Sequence, residues 1–224
     1  MTKYLEKYRE IAKNLYPNSL TNSGISPGAI TVAERRLGFL FPKALAEFYL
    51  LVGNHRSINF SYNELISIDC IEIEANKLVF FQENQGVCYW GIDLTDITTG
   101  DPPVWVGQSI ENQEELDWYL DSKSLSDFLI IMLCWQSVMG GLPVVGSMDN
   151  VEKSIIKDVA DNFSLIEVEE NNSGLQAYIG SGKIVCLAKG FNEISLCAGA
   201  IDNEKFLEIE NTLQIEWDYC SLDD

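Results

Sequence analysis

The chain has 224 residues, 46% of them hydrophobic, and a formal net charge of −19. That apolar content is enough to bury a sizeable core, as one large domain or two small ones, and it excludes a disordered chain. An acidic excess of this size disfavours nucleic-acid binding wherever the acidic surface must face a phosphate backbone, and favours a basic protein partner, although charge alone also keeps a globular protein soluble.

The charge is uneven. Residues 1–56 carry a net of +4, residues 57–150 a net of −13 and residues 151–224 a net of −10, so any attraction for a cationic partner belongs to the last three quarters of the chain. At the N-terminus, Tyr4, Leu5, Tyr8, Ile11, Ala12 and Leu15 recur at helical spacing, which predicts a helix over Lys3–Tyr16 ended by Pro17. This charged, amphipathic start has no signal-peptide core. The apolar run through Leu129 to Trp135 is far below the roughly 20 residues that span a bilayer, so a cytoplasmic location and no membrane partner are expected.

Two short helices follow a polar linker. Gly38 closes the first, Pro42 opens the second within its first turn, and Gly53 stops it. Strands are predicted near Ile58–Ser61, Ile66–Glu74, Leu78–Gln82, Val87–Asp93, Val104–Gly107 and Leu116–Leu120. Glu83-Asn84-Gln85-Gly86 supplies a hairpin turn, and Pro102-Pro103 forbids a helix and starts a new strand at Val104. A helix over Leu125–Met139 has Ser124 as its cap and Gly140-Gly141 as its terminator. Beyond it come a helix over Asn150–Asn162, strands over Ser164–Glu169, Leu175–Ile179, Lys183–Ala188 and Glu193–Cys197, a short acidic helix over Asn203–Glu210 and a last strand over Leu213–Trp217. The expected fold class is α+β: N-terminal helices on a mostly antiparallel sheet, with a further α+β extension at the C-terminus. The division is placed at 1–145 and 146–224, the second part either a separate unit or a continuation of the same sheet, since no linker-like composition separates them.

The helix pair from Thr31 and Glu34 through Leu37-Gly38-Phe39-Leu40-Phe41-Pro42 to Gly53-Asn54, then NQGVCYWGID, DPPVW and the Ser124-Leu125-Ser126-Asp127-Phe128-Leu129 helix, resembles the SUKH superfamily in order and spacing. The resemblance covers roughly Ile25 to Met139, and Gln85, Trp90, Asp93 and Trp105 match its pattern; Trp90 and Trp105 read as core-filling scaffold. That superfamily includes fungal cell-wall-assembly regulators and many bacterial toxin-immunity proteins. The resemblance therefore implies a non-enzymatic binding protein that neutralises a cognate toxin domain, often a nuclease, by direct contact. An adaptor or scaffold resembling the fungal regulators is the alternative.

Enzyme signals do not assemble. Gly180-Ser181-Gly182-Lys183 lacks the first glycine and the hydroxyl of a phosphate loop and reads as a hairpin turn. His55 is the only histidine, in a polar turn; a pairing with Cys88, which sits in a strand, is open from sequence. The six cysteines include no C-x-x-C pair and read as free thiols, so neither a structural metal nor a cofactor is expected. The carboxylates Glu111, Glu114, Glu115, Asp117 and Asp121 cluster without the glycine turn a calcium loop needs. With Trp118 and Tyr119 among them, they form the candidate partner-binding patch, an acidic surface with aromatic anchors; Glu83 and Asn84 at the hairpin tip are further candidate contacts.

Overall fold

A computed structural model describes residues 2–109, 116–169, 174–190 and 193–223. Helix α1 (Lys3–Leu15) is capped by the Thr2 hydroxyl. Helix α2 (Pro27–Leu37) starts with the Ser26 hydroxyl accepting from the Ala29 amide and ends at Gly38, whose φ of +87° is the left-handed cap the sequence anticipates. Glu34 ties the following turn by accepting from the Phe41 amide at 2.9 Å. Pro42 then leads into α3 (Lys43–Val52).

The segment at Ile58 departs from expectation. It is the single helical turn α4 (Arg56–Asn59), not a strand. The buried Asn59 carboxamide donates to Val52 O at the end of α3 and its amide bonds His55 O, so tertiary anchoring overrides the β-propensity of Ile58 and Phe60.

The first sheet is built from β1 (Glu64–Leu65), β2 (Glu72–Glu74), β3 (Lys77–Gln82), β4 (Cys88–Asp93), β5 (Val104–Gln108) and β6 (Asp117–Ser122). Its order is β1-β3-β4-β5-β6, and β1 and β2 share the same edge of β3 end to end. Of the strand expected over 66–74 only its end, β2, forms: a turn at Ser67, whose carbonyl accepts from Cys70 and Ile71, occupies the start, and β1 lies just before the expected run.

Helix α5 (Leu125–Gln136) has no polar face. Leu125, Ser126, every residue from Phe128 to Cys134, and Gln136 are buried. It runs into a π-helical turn at Ser137–Gly141, where Gly140 takes φ +101°, so the α-helix stops three residues before the predicted Met139. Gly141 is fixed by contact: a Cβ there would lie 2.3 Å from Ser57 O.

Strand β7 (Val144–Met148) straddles residue 145, where the sequence division was placed. After it come α6 (Lys153–Asn162), β8 (Ser164–Leu165), β9 (Leu175–Gly180), β10 (Lys183–Lys189), β11 (Ile194–Ala200), α7 (Asn203–Leu213) and β12 (Tyr219–Cys220). The second sheet has the order β12-β7-β11-β10-β9-β8, and both sheets pair antiparallel throughout. Asn150, at φ +53°, delays the start of α6. The strand expected over 164–169 shrinks to two residues. The one expected over 213–217 is instead the end of α7, Gln214 at φ +51° and an irregular run before β12.

Alternation along β10 shows how the layers stack. Ile184 and Cys186 join a core shared with α1, α3, α5 and the first sheet, while Val185 and Leu187 join a second core beneath α6 and α7. The second sheet is covered on both faces, which accounts for the unbroken apolar run of Ile184 to Ala188. The order of layers is first sheet, α1/α3/α5, second sheet, α6/α7. The cysteines are free, with Cys134, Cys186, Cys197 and Cys220 buried and Cys70 exposed.

Because α5 is enclosed on all sides, Leu133→Ala (0% exposed) is expected to destabilise the fold by about 3 kcal/mol. Leu40→Ala (75% exposed) should cost less than about 0.5 kcal/mol. Urea denaturation followed by circular dichroism measures both.

Candidate functional site

The inner face of the first sheet is closed by helices through Leu78, Phe80, Trp90, Ile92 and Val104. Strand alternation and register place the intervening residues on the opposite, outer face. Glu74, Lys77 and Asp93 form one cross-strand row there, and Glu72, Val79, Gly91, Trp105 and Leu120 a second. Tyr89, Gly107 and Trp118 form a third.

Two glycines make the floor of this face. A Cβ on Gly107 would lie 2.8 Å from Trp118 Cε2, and one on Gly91 would lie 3.4 Å from Trp118 Cη2, so the indole lies across β5 and reaches β4. Lys77 Nζ is 5.6 Å from the Trp118 ring centre and 5.2 Å from that of Trp105, a double cation–π contact. The same ammonium bonds Asp93 Oδ2 at 2.8 Å. That bond, helped by the Thr95 amide and hydroxyl, holds the Asp93 carboxyl well below the usual carboxylate range, at about 2. Lys77 is buried, whereas Trp105 and Trp118 are partly exposed and Glu72 and Glu74 are exposed. The face therefore offers aromatic surface above an internally neutralised cation, with free carboxylates at one margin.

The sequence candidates divide around this face. Glu111, Glu114 and Glu115 lie outside the described residues. The β3–β4 turn and the start of β6 occupy the same end of the sheet, where the Ser109 amide bonds Val87 O. Asn84 and Asp117 are exposed there. Glu83 is partly engaged in its own turn, accepting from the Gln85 amide at 2.8 Å. Tyr119, 49% exposed, donates to Asp117 Oδ2 at 3.3 Å, and the charge of Asp117 raises its phenol pKa. Trp118 turns to the outer face. Asp121 turns the other way: it is buried and accepts from Trp90 Nε1 at 2.5 Å, and burial pushes its carboxyl pKa up, partly offset by that indole.

Sequence reasoning missed Trp105, Lys77, Glu72 and Glu74. Trp90 and Trp105 read together as core, but register pairs Trp105 with Gly91, so the two indoles face opposite sides. The available signal was Gly91 and Gly107 within strands, which marks close approach of a large neighbour.

The residues weighed for catalysis sit apart by environment. His55 bonds Ser19 Oγ through Nε2 at 2.9 Å and packs edge-on against Tyr16, and burial lowers its pKa. Cys88 lies in β4, where burial and the Glu83 charge raise its pKa, against the reactive thiolate. Gly180 to Lys183 is the β9–β10 turn, with Lys183 bonded to Glu208 at 2.6 Å. Among the described residues no helix is long and apolar enough to cross a membrane.

Residues 24–131 match the model of the SMI1 / KNR4 family (SUKH-1). The matched segment runs from just before α2 into the middle of α5 and contains the whole outer face. No curated protein and no solved structure matches the chain.

A depressed Asp93 pKa adds stability that is fully present above about pH 4 and lost as pH falls toward the folded-state value of about 2. Lys77→Met is expected to return Asp93 toward the usual range, with the Thr95 bonds retaining part of the shift, and to remove on the order of 1 kcal/mol of that acid-labile stability. Urea midpoints measured across this pH window check the change. Gly107→Val should lift Trp118 off the sheet and red-shift tryptophan emission.

Proposed function

Residues 24–131 belong to the SUKH superfamily, and from that premise we propose that this chain is a non-enzymatic immunity protein that neutralises a basic, nuclease-type bacterial toxin domain by direct contact in the cytoplasm. The observation that carries the reading is the outer face of the first sheet, where Trp105 and Trp118 lie partly exposed and Glu72 and Glu74 stand exposed at the far margin, across β3 and β4. Exposed aromatic side chains in an acidic frame suit a partner rich in Lys and Arg.

The physical logic joins charge to inhibition. A nuclease holds phosphates in a basic cleft. A protein with a net charge of −19 is steered to that cleft, and once seated it excludes the polyanionic substrate. The exposed Asn84 extends the sheet at the hairpin end, where Asp117 is exposed with the parity opposite to Trp118, and Glu111, Glu114 and Glu115, between β5 and β6 in sequence, add to the charge of the segment. Residues 146–224 are taken as an acidic extension that backs the helical layer behind the face.

The test is co-expression with the C-terminal domain of a large secreted protein encoded beside this chain. Rescue of growth and a complex that survives purification are expected. Its association rate should fall about tenfold or more between low and high salt. Glu72→Lys with Glu74→Lys should weaken the complex by about tenfold, while Glu204→Lys on α7 should leave it unchanged. Absence of both rescue and complex would favour the adaptor reading instead.

A further inference from the structure

The outer face already holds one cation, and the manner in which it does so points to what it takes from a partner. Lys77 Nζ lies within cation–π distance of both Trp105 and Trp118. Its charge is matched by Asp93 at 2.8 Å, and its side chain is buried beneath the indoles. A neutralised internal pair leaves little repulsion for a second cation approaching the indoles from solvent. Glu72 and Glu74, exposed on the same face at the margin of these rows, add negative charge that attracts it.

We infer that Trp105 and Trp118 form a recognition point for an arginine or lysine side chain of the partner, stacked on their solvent-facing surfaces, with Glu72 and Glu74 across β3 and β4 adding longer-range attraction. This rests on the binding role proposed above and specifies the chemistry of its central contact. Arginine suits the point better than lysine, because its planar, weakly hydrated guanidinium stacks on an indole. Lys77 is then a positioning residue: its contact with both rings fixes their spacing before the partner arrives, which lowers the ordering cost of binding.

The experiment is a titration of the ¹⁵N-labelled full chain with a hexa-arginine peptide, reading the indole N–H signals of its five tryptophans. Saturable shifts confined to Trp105 and Trp118, with Trp90, Trp135 and Trp217 unmoved, are expected. Hexa-lysine should shift the same two signals at several-fold higher concentration, and hexa-glutamate should shift none. Glu72→Gln with Glu74→Gln should weaken hexa-arginine binding at least fivefold. Equal movement of all five signals, or none of Trp105 and Trp118, would overturn the inference. The two readings fail separately. A toxin complex whose affinity is unchanged in Trp118→Leu removes the cation point and leaves the immunity role standing. Selective hexa-arginine binding by a chain that forms no toxin complex does the reverse.

Discussion

A helix with no polar side is stable in water only if other layers cover it completely, and α5 is such a helix. Its run from Phe128 to Cys134 is buried without a break. The first sheet, α1, α3 and the second sheet all contribute to the core that encloses it. Both sheets are thereby committed to face inward, and the second is covered again on its far side by α6 and α7. Among the described residues, the outer face of the first sheet is a sheet surface that this stacking leaves without a helical layer.

Two polar anchors fix the ends of that helix. At its start, Asp101 accepts from the Ser126 amide and hydroxyl, both at 2.7 Å, placing a carboxylate at the positive end of the helix dipole. Asp101 directly precedes Pro102-Pro103 and β5, so the same short segment sets the register of Trp105 and the position of α5. At the other end, the buried Gln136 carboxamide accepts from the Tyr62 and Asn63 amides at 2.9 Å and donates to Asn63 O. It thereby satisfies backbone that would otherwise be buried unpaired where α4 leads into β1. These bonds tie the candidate face to the most enclosed element of the molecule, which favours a preorganised surface over one that forms on contact.

Much of this was legible in the sequence where local chemistry decides. Gly38, Pro42, Ser124 and Gly140 punctuate helices as their φ preferences and hydrogen-bonding groups demand, and the Glu83 to Gly86 turn joins β3 to β4. Misreadings arose where a distant partner decides. Ile58 lies in a helical turn because Asn59 is anchored to the end of α3, and the 66–74 run begins as a turn, so that only its end, β2, joins the edge of β3 that β1 also occupies. The candidate site was legible as a region but not as a face. The Val79/Phe81 and Val104/Trp105 irregularities shift the pairing, and within β6 Trp118 turns outward while Asp121, three positions on, enters the core. Composition and spacing carry no information on that parity.

The central claim is that a basic partner seats on the outer face of the first sheet. Hydroxyl-radical footprinting of the chain alone and bound to the toxin domain reads side-chain exposure directly. The account predicts that Trp105, Trp118 and Tyr89 lose reactivity in the complex, while Leu40 on the α2–α3 turn and Leu207 on α7, both exposed in the free chain, keep theirs. Protection of Leu40 or Leu207 with unchanged oxidation of Trp105 and Trp118 would contradict it.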